Sequence, residues 1–149
     1  MKRWGLLIVL AALVALVPVL RSRSQAAAQV EDTLGIVKAI KTQSRALWSG
    51  KPDPADLSLG NWHTSWKGAI TLQLYARGTL SPQRVIGITL ADVPQSLCPD
   101  LLQRLDAQRQ ENLWLKLEAD GQDVPNQPPA ATRRQLCADK TALSVYFTF

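Results

Sequence analysis

The sequence predicts an α+β protein. A long N-terminal helix, transmembrane in its first part and amphipathic in its second, packs on an antiparallel sheet of four or more strands, with one short helix and one disulfide. Three observations predict it. Trp4 to Leu20 is 17 residues without a charge. An apolar stripe with helical spacing follows it as far as Leu47. Four later segments alternate apolar and polar residues with a period of two.

Composition narrows the function before any motif is read. A chain of 149 residues holds one domain, or one domain plus a membrane segment. Hydrophobic residues make up 46% and charged residues 19%, which sets aside disordered and collagen-like chains. The formal charge of +5 is scattered, with no run of five like charges, so it reads as a solvated basic surface rather than a nucleic-acid groove. One histidine and two cysteines cannot build a four-ligand Cys/His zinc site. There is no glycine-rich phosphate loop, HExxH or GxSxG. No catalytic residue, metal or cofactor is expected.

The first element begins with Met1-Lys2-Arg3 and continues as the uncharged run. As a helix, that run is roughly 25 Å long, close to a hydrocarbon core of about 30 Å. One reading is a cleaved secretory signal with Ala26-Ala27-Ala28 as the cleavage site. The run is longer than a usual signal core, however, and Arg21 and Arg23 fall in the cleavage region. The other reading is a retained membrane anchor. Both take the polypeptide out of the cytoplasm.

Beyond the anchor, Val30, Leu34, Val37, Ile40 and Leu47 recur at combinations of three and four, with Lys38, Lys41 and Arg45 mostly off that stripe. Gly35 weakens the helix by about 1 kcal/mol relative to alanine. Gly50-Lys51-Pro52-Asp53-Pro54 stops it. A nearly continuous helix from Trp4 to Ser49 would be about 69 Å long, bent at Pro18. The alternative is an anchor followed by a separate surface helix.

The strands come next. Ile70, Leu72 and Leu74 share one face; so do Ile86, Ile88 and Leu90, then Leu113, Leu115 and Leu117, and last Leu143, Val145, Phe147 and Phe149. Four one-sided strands need a second layer, and the helix stripe is the candidate lid. Between the second and third, Pro99 and Asp100 suit a first helical turn, and Leu101, Leu102 and Leu105 give that helix an apolar face up to about Glu111. Asp120-Gly121 signals a turn, and Val124 to Ala131 reads as a surface loop. In an oxidising compartment Cys98 and Cys137 read as a disulfide, with two free buried thiols as the alternative. Trp62 and Trp66 flank His63 and read as packing anchors or as an aromatic binding edge; His63 reads as a solvent-facing loop residue.

These segments resemble the type IV pilins, specifically the type IVb class that includes the toxin-coregulated and bundle-forming pilins. Trp66-Lys67-Gly68-Ala69-Ile70-Thr71-Leu72 is similar to the tryptophan-glycine stretch leading into an early strand of that family. Ile88 to Cys98 resembles its strand, Val-Pro and first disulfide cysteine opening a helix. Trp114 to Gly121 resembles the following strand and glycine turn; Cys137 and Leu143 to Phe149 resemble the second cysteine and terminal strand.

The resemblance implies a structural subunit, not an enzyme. Its partners would be other pilin subunits, the inner membrane, a prepilin peptidase and the pilus assembly machinery, with nucleic acid an unlikely one. It implies a leader at 1–5, cut after Gly5 to leave Leu6 N-methylated at the new N-terminus. It further implies a transmembrane and filament-core helix at 6–23, an amphipathic helix at 24–49 and a globular head at 50–149. Leu6, Leu7, Ile8, Val9, Leu10, Leu13, Val14 and Val17, with Val30, Leu34, Val37 and Ile40, are the expected helix-packing residues. Such a subunit would sit in the inner membrane before assembly and in a cell-surface pilus afterwards. One departure is plain: the fifth mature residue would be Leu10 where major pilins usually have glutamate, and no acidic residue precedes Glu31. That points toward a minor pilin, a tip pseudopilin or a divergent conjugative pilin. Rival readings are a secreted binding domain released after Ala28 and a membrane-anchored periplasmic enzyme.

Overall fold

The computed structural model describes residues 2–48, 62–111 and 114–148, with side chains at 21–46, 62–109 and 115–148. The chain opens with one helix, α1 (Lys2–Trp48). Then come β1 (Ile70–Tyr75), β2 (Val85–Pro94), α2 (Cys98–Glu111), β3 (Trp114–Ala119), β4 (Gln122–Asp123), α3 (Ala130–Leu136) and β5 (Lys140–Thr148). All strand pairs are antiparallel, and the sheet order is β1-β2-β5-β3-β4. The last strand of the chain therefore fills the middle of the sheet.

The stripe on α1 is the lid over that sheet. Val30, Leu34, Val37 and Ile40 are buried, together with Thr33 and Ser44 on the same face. Thr33 is buried without an unmet donor, because its hydroxyl bonds the Gln29 carbonyl one turn back at 2.8 Å. Opposite them, β2 and β5 set fully buried residues side by side: Ile86 with Phe147, Ile88 with Val145, and Leu90 with Leu143. Leu117 and Ala119 extend the layer through β3, and Leu101, Leu102 and Leu105 close it from α2. Burying one such side chain contributes about 1.5–3 kcal/mol, so this single layer dominates the stability of the head. Ile70, Leu72 and Leu74 on β1 pack against it half-buried.

Two details differ from the sequence reading. Leu115 was expected beside Leu117 in the core, yet it is 41% exposed. Trp114 pairs with Phe147 and Lys116 with Tyr146, so β3 advances two residues while β5 advances one. The resulting β-bulge ejects Leu115 from the alternation. The stretch from Val124 to Ala131 was expected as surface loop, yet α3 begins within it at Ala130, and Val124 is only 3% exposed. Pro129 is extended at φ −56° and leads directly into two alanines, the strongest helix formers. Val124 is drawn inward because its amide donates to the Leu117 carbonyl at 2.9 Å. The expected turn at Asp120-Gly121 is present: positive φ at both residues (49° and 77°) joins β3 to β4 by a two-residue hairpin. Leu113, Phe149 and the Gly50–Pro54 stop lie outside the described residues.

The Trp66 segment explains a second irregularity. β2 bulges between Leu90 and Val93, with Asp92 at φ 52°. The Trp66 indole N–H donates to the Ala91 carbonyl at 3.0 Å, and the Ala91 amide donates to the Ala69 carbonyl at 2.9 Å. Gly68 makes this approach possible, since a Cβ there would stand 2.1 Å from the Ala91 oxygen and 2.4 Å from the indole nitrogen.

Two stability tests follow from this packing. Gly68→Ala should destabilise the head by about 1–3 kcal/mol, the usual range for forced overpacking, in urea unfolding followed by tryptophan fluorescence. Ile40→Ala should cost about 2–5 kcal/mol, whereas Lys38→Ala, on the exposed side of the same helix, should stay within about 0.5 kcal/mol of wild type.

Candidate assembly site on the N-terminal helix

The features that could join one copy to another lie along α1 and its seam with the head. Described side chains at positions 21–25, 27 and 28 are exposed, and Val30 is the first buried in the head core. Because α1 starts at Lys2, about 42 Å of helix precedes that first buried residue. Among the described residues no helix is long and apolar enough to cross a membrane. The side chains of the apolar run, Trp4 to Leu20, lie outside the described residues. The same holds for Gly5, Leu6, Leu7, Ile8, Val9, Leu10, Leu13, Val14 and Val17. Val30, Leu34, Val37 and Ile40 do lie within them, and in a single chain they contact their own head.

A covalent link ties the two short helices together just before the central strand. Cys98, the first residue of α2, is bonded to Cys137, which ends α3 and stands three residues before β5, with a Cα–Cα distance of 5.7 Å. The free-thiol alternative is thereby closed. The staple thus acts at the entrance to the central strand. Gln95 adds a bond from its side-chain amide to the Cys137 carbonyl at 3.4 Å.

Sequence reasoning missed a polar clamp between α2 and the proline-rich segment. The Asp106 carboxylate accepts from the Gln127 amide at 2.9 Å and pairs with Arg109 at 3.4 Å. Arg109 donates to the Val124 carbonyl at 3.0 Å and also to Asn126. Arg133 caps the clamp on the Pro128 carbonyl at 2.7 Å. The i,i+3 spacing of Asp106 and Arg109 was the available signal, but it marks exposed surface pairs just as often. An exposed bridge from Arg104 to Glu31, 2.8 Å long, also joins α2 to α1 and contributes little in water.

The outer face of the sheet is a tyrosine cluster. Tyr75 and Tyr146 have ring centroids 6.0 Å apart, and both rings close over Gly87. Lys116 lies 4.7 Å above the Tyr146 ring and pairs with Glu118. Burial, then the neighbouring Glu118 carboxylate, pushes the Tyr146 phenol well above its ordinary value. The hydrogen bond to Glu118 raises Lys116. On the inner side, burial and then the adjacent Arg45 lower Lys41, whose ammonium lies 5.3 Å over Phe147. Trp62 and Trp66 are half-buried against the core, as packing anchors would be, and His63 between them is exposed. Among the described residues, no group of His, Cys, Asp or Glu side chains converges to hold a metal ion.

No family model matches the chain, and no curated protein matches it. Among solved structures it is similar to a type IVb pilin from Salmonella typhi, at 16% identity and a TM-score of 0.49, over 81% of this chain and 93% of that one.

Cys98→Ser/Cys137→Ser should cost about 2–5 kcal/mol in chemical unfolding relative to the oxidised wild type. The chain has two tyrosines, so half of the phenolate signal belongs to Tyr146. That half should appear late in an alkaline absorbance titration and vanish in Tyr146→Phe. The raised phenol favours the folded state below the ordinary tyrosine range, and this contribution should be lost as pH rises beyond that range.

Proposed function

We propose that the chain is a structural subunit of a type IVb-like pilus or pilus-like assembly, inserted in the inner membrane and polymerised through its N-terminal helix. One observation carries the reading: α1 is a single helix whose later part is built into the head core and whose earlier part continues beyond it. A helix with a long uncharged run must be covered by lipid or protein at every stage. The same segment can therefore anchor the subunit in the bilayer and, once extracted, pack against its copies. The working division is a leader at 1–5, a lipid- or filament-buried rod at 6–23, an amphipathic segment at 24–49 and a head at 50–149. The machinery partners would be a peptidase that removes the leader after Gly5 and an assembly platform.

A second reading has an observation of its own. Cleavage after Ala28 would leave the buried stripe from Val30 onward intact, and a released head would keep its lid. N-terminal sequencing of the protein from the cell envelope separates the two. Leu6 is the expected first residue; Gln29 would overturn the anchor. In the same cells Val14→Arg, which costs about 2.5–3.5 kcal/mol at mid-membrane depth, should abolish membrane retention and filaments labelled by an antibody to the head.

A further inference from the structure

The neck of the molecule, between the apolar run and the head, holds a groove that the assembly reading does not use. It is open to solvent and spans about 1070 Å³ between one side of α1 and the start of α2. Ser22, Arg23 and Gln25 line the α1 wall, and Ser96 and Asp100 line the other. All five are exposed in the chain. The groove thus has a cationic wall facing an anionic one.

Its level along the helix is set by the sequence. Arg23 is three residues past Leu20, the last of the uncharged run, or about 4–5 Å along the axis. Asp100 lines this groove and also shares a smaller neighbouring cavity with Ala27, Val30 and Glu31, so it stands further from Leu20 along the axis than Arg23 does. If the run is buried in a bilayer, Arg23 falls within a headgroup layer roughly 5–8 Å thick, and Asp100 lies on the water side of Arg23. Cation inside and anion outside is the inverse of a headgroup whose phosphate lies near the hydrocarbon and whose ammonium points to water.

We propose that this neck groove binds the headgroup of a phospholipid carrying a phosphate and a primary ammonium, with Arg23 on the phosphate and Asp100 on the ammonium. The inference rests on the membrane-anchored reading given above. A primary ammonium donates charge-assisted hydrogen bonds to a carboxylate, which a quaternary choline cannot do. A glycerol headgroup offers no cation, and Asp100 would repel its negative charge. Headgroup selection would hold the base of the head against the bilayer, a contact broken when a subunit leaves the membrane.

The test uses the full-length protein, first floated with vesicles and then exposed in detergent to equal amounts of phosphatidylethanolamine, phosphatidylglycerol and phosphatidylcholine, with bound lipid read by native mass spectrometry. Phosphatidylethanolamine adducts should exceed phosphatidylcholine adducts about fivefold, as charge-assisted donors to Asp100 would give. Asp100→Asn should bring that ratio to near unity, and Arg23→Gln should reduce adducts of all three lipids. Circular dichroism and an intact disulfide establish that the variants fold. Equal binding of the three lipids by the wild type, a preference for phosphatidylglycerol, or an unchanged ratio in Asp100→Asn would overturn the headgroup site. Failure of the wild type to float with vesicles would instead overturn the membrane-anchored reading on which it rests.

Discussion

The head is held together by the contact between one face of α1 and the inner surface of β2 and β5. Val30, Leu34, Val37 and Ile40 cover Ile86, Ile88, Leu90, Leu143, Val145 and Phe147, and these residues form one continuous buried cluster. Remove the helix, and the central strands of a small sheet present their apolar side to water, which the rest of the domain is too small to cover. The consequence reaches beyond stability. A segment that must remain docked cannot also move freely relative to the head, so whatever is done to the first part of α1 is transmitted to the domain as to a rigid handle. On the proposed reading the same helix would serve assembly as well as folding, with its two parts assigned to different neighbours.

The sheet order adds a second constraint. With β5 between β2 and β3, the central ladder cannot form until residues 140–148 are present. The disulfide stands just before that strand and fixes its entry against α2. The Asp106–Arg109 clamp holds the intervening proline-rich segment on α2 through its backbone carbonyls and amides. The irregular part of the head is therefore fastened at both ends. The Trp66–Ala91 bond performs a similar service at the opposite edge, supplying a donor where the β2 bulge leaves a carbonyl outside the ladder.

Much of this was legible in the residues, for identifiable reasons. The stripe on α1 from Val30 to Ile40, the alternation in β2 and β5 as far as Phe147 and the leucines of α2 are strong periodic signals, and each maps onto buried positions. Asp120-Gly121 was readable because few dipeptides accept positive φ twice in succession. Leu115 was not, because a bulge is a property of two strands in register and leaves no mark on one of them. α3 was hidden by the prolines that precede it, whose local signal is loop even where the last of them starts a helix. The clamp was hidden because most of the partners of Asp106, Arg109 and Arg133 are backbone atoms of a segment distant in sequence. At the candidate assembly site, the stripe and the cysteine pair could be read directly. The neck groove could not, since it exists only once α2 has been placed beside α1.

Hydrogen exchange on the full-length protein tests the central contact most directly. If the α1–sheet layer holds the head together, the amides of residues 30–44 should exchange only with global unfolding, at the same free energy as those of β5 and with the same dependence on denaturant. Exchange of 30–44 at markedly lower free energy, while β2 and β5 stay protected, would mean that the sheet stands without its helix, and the account would be wrong.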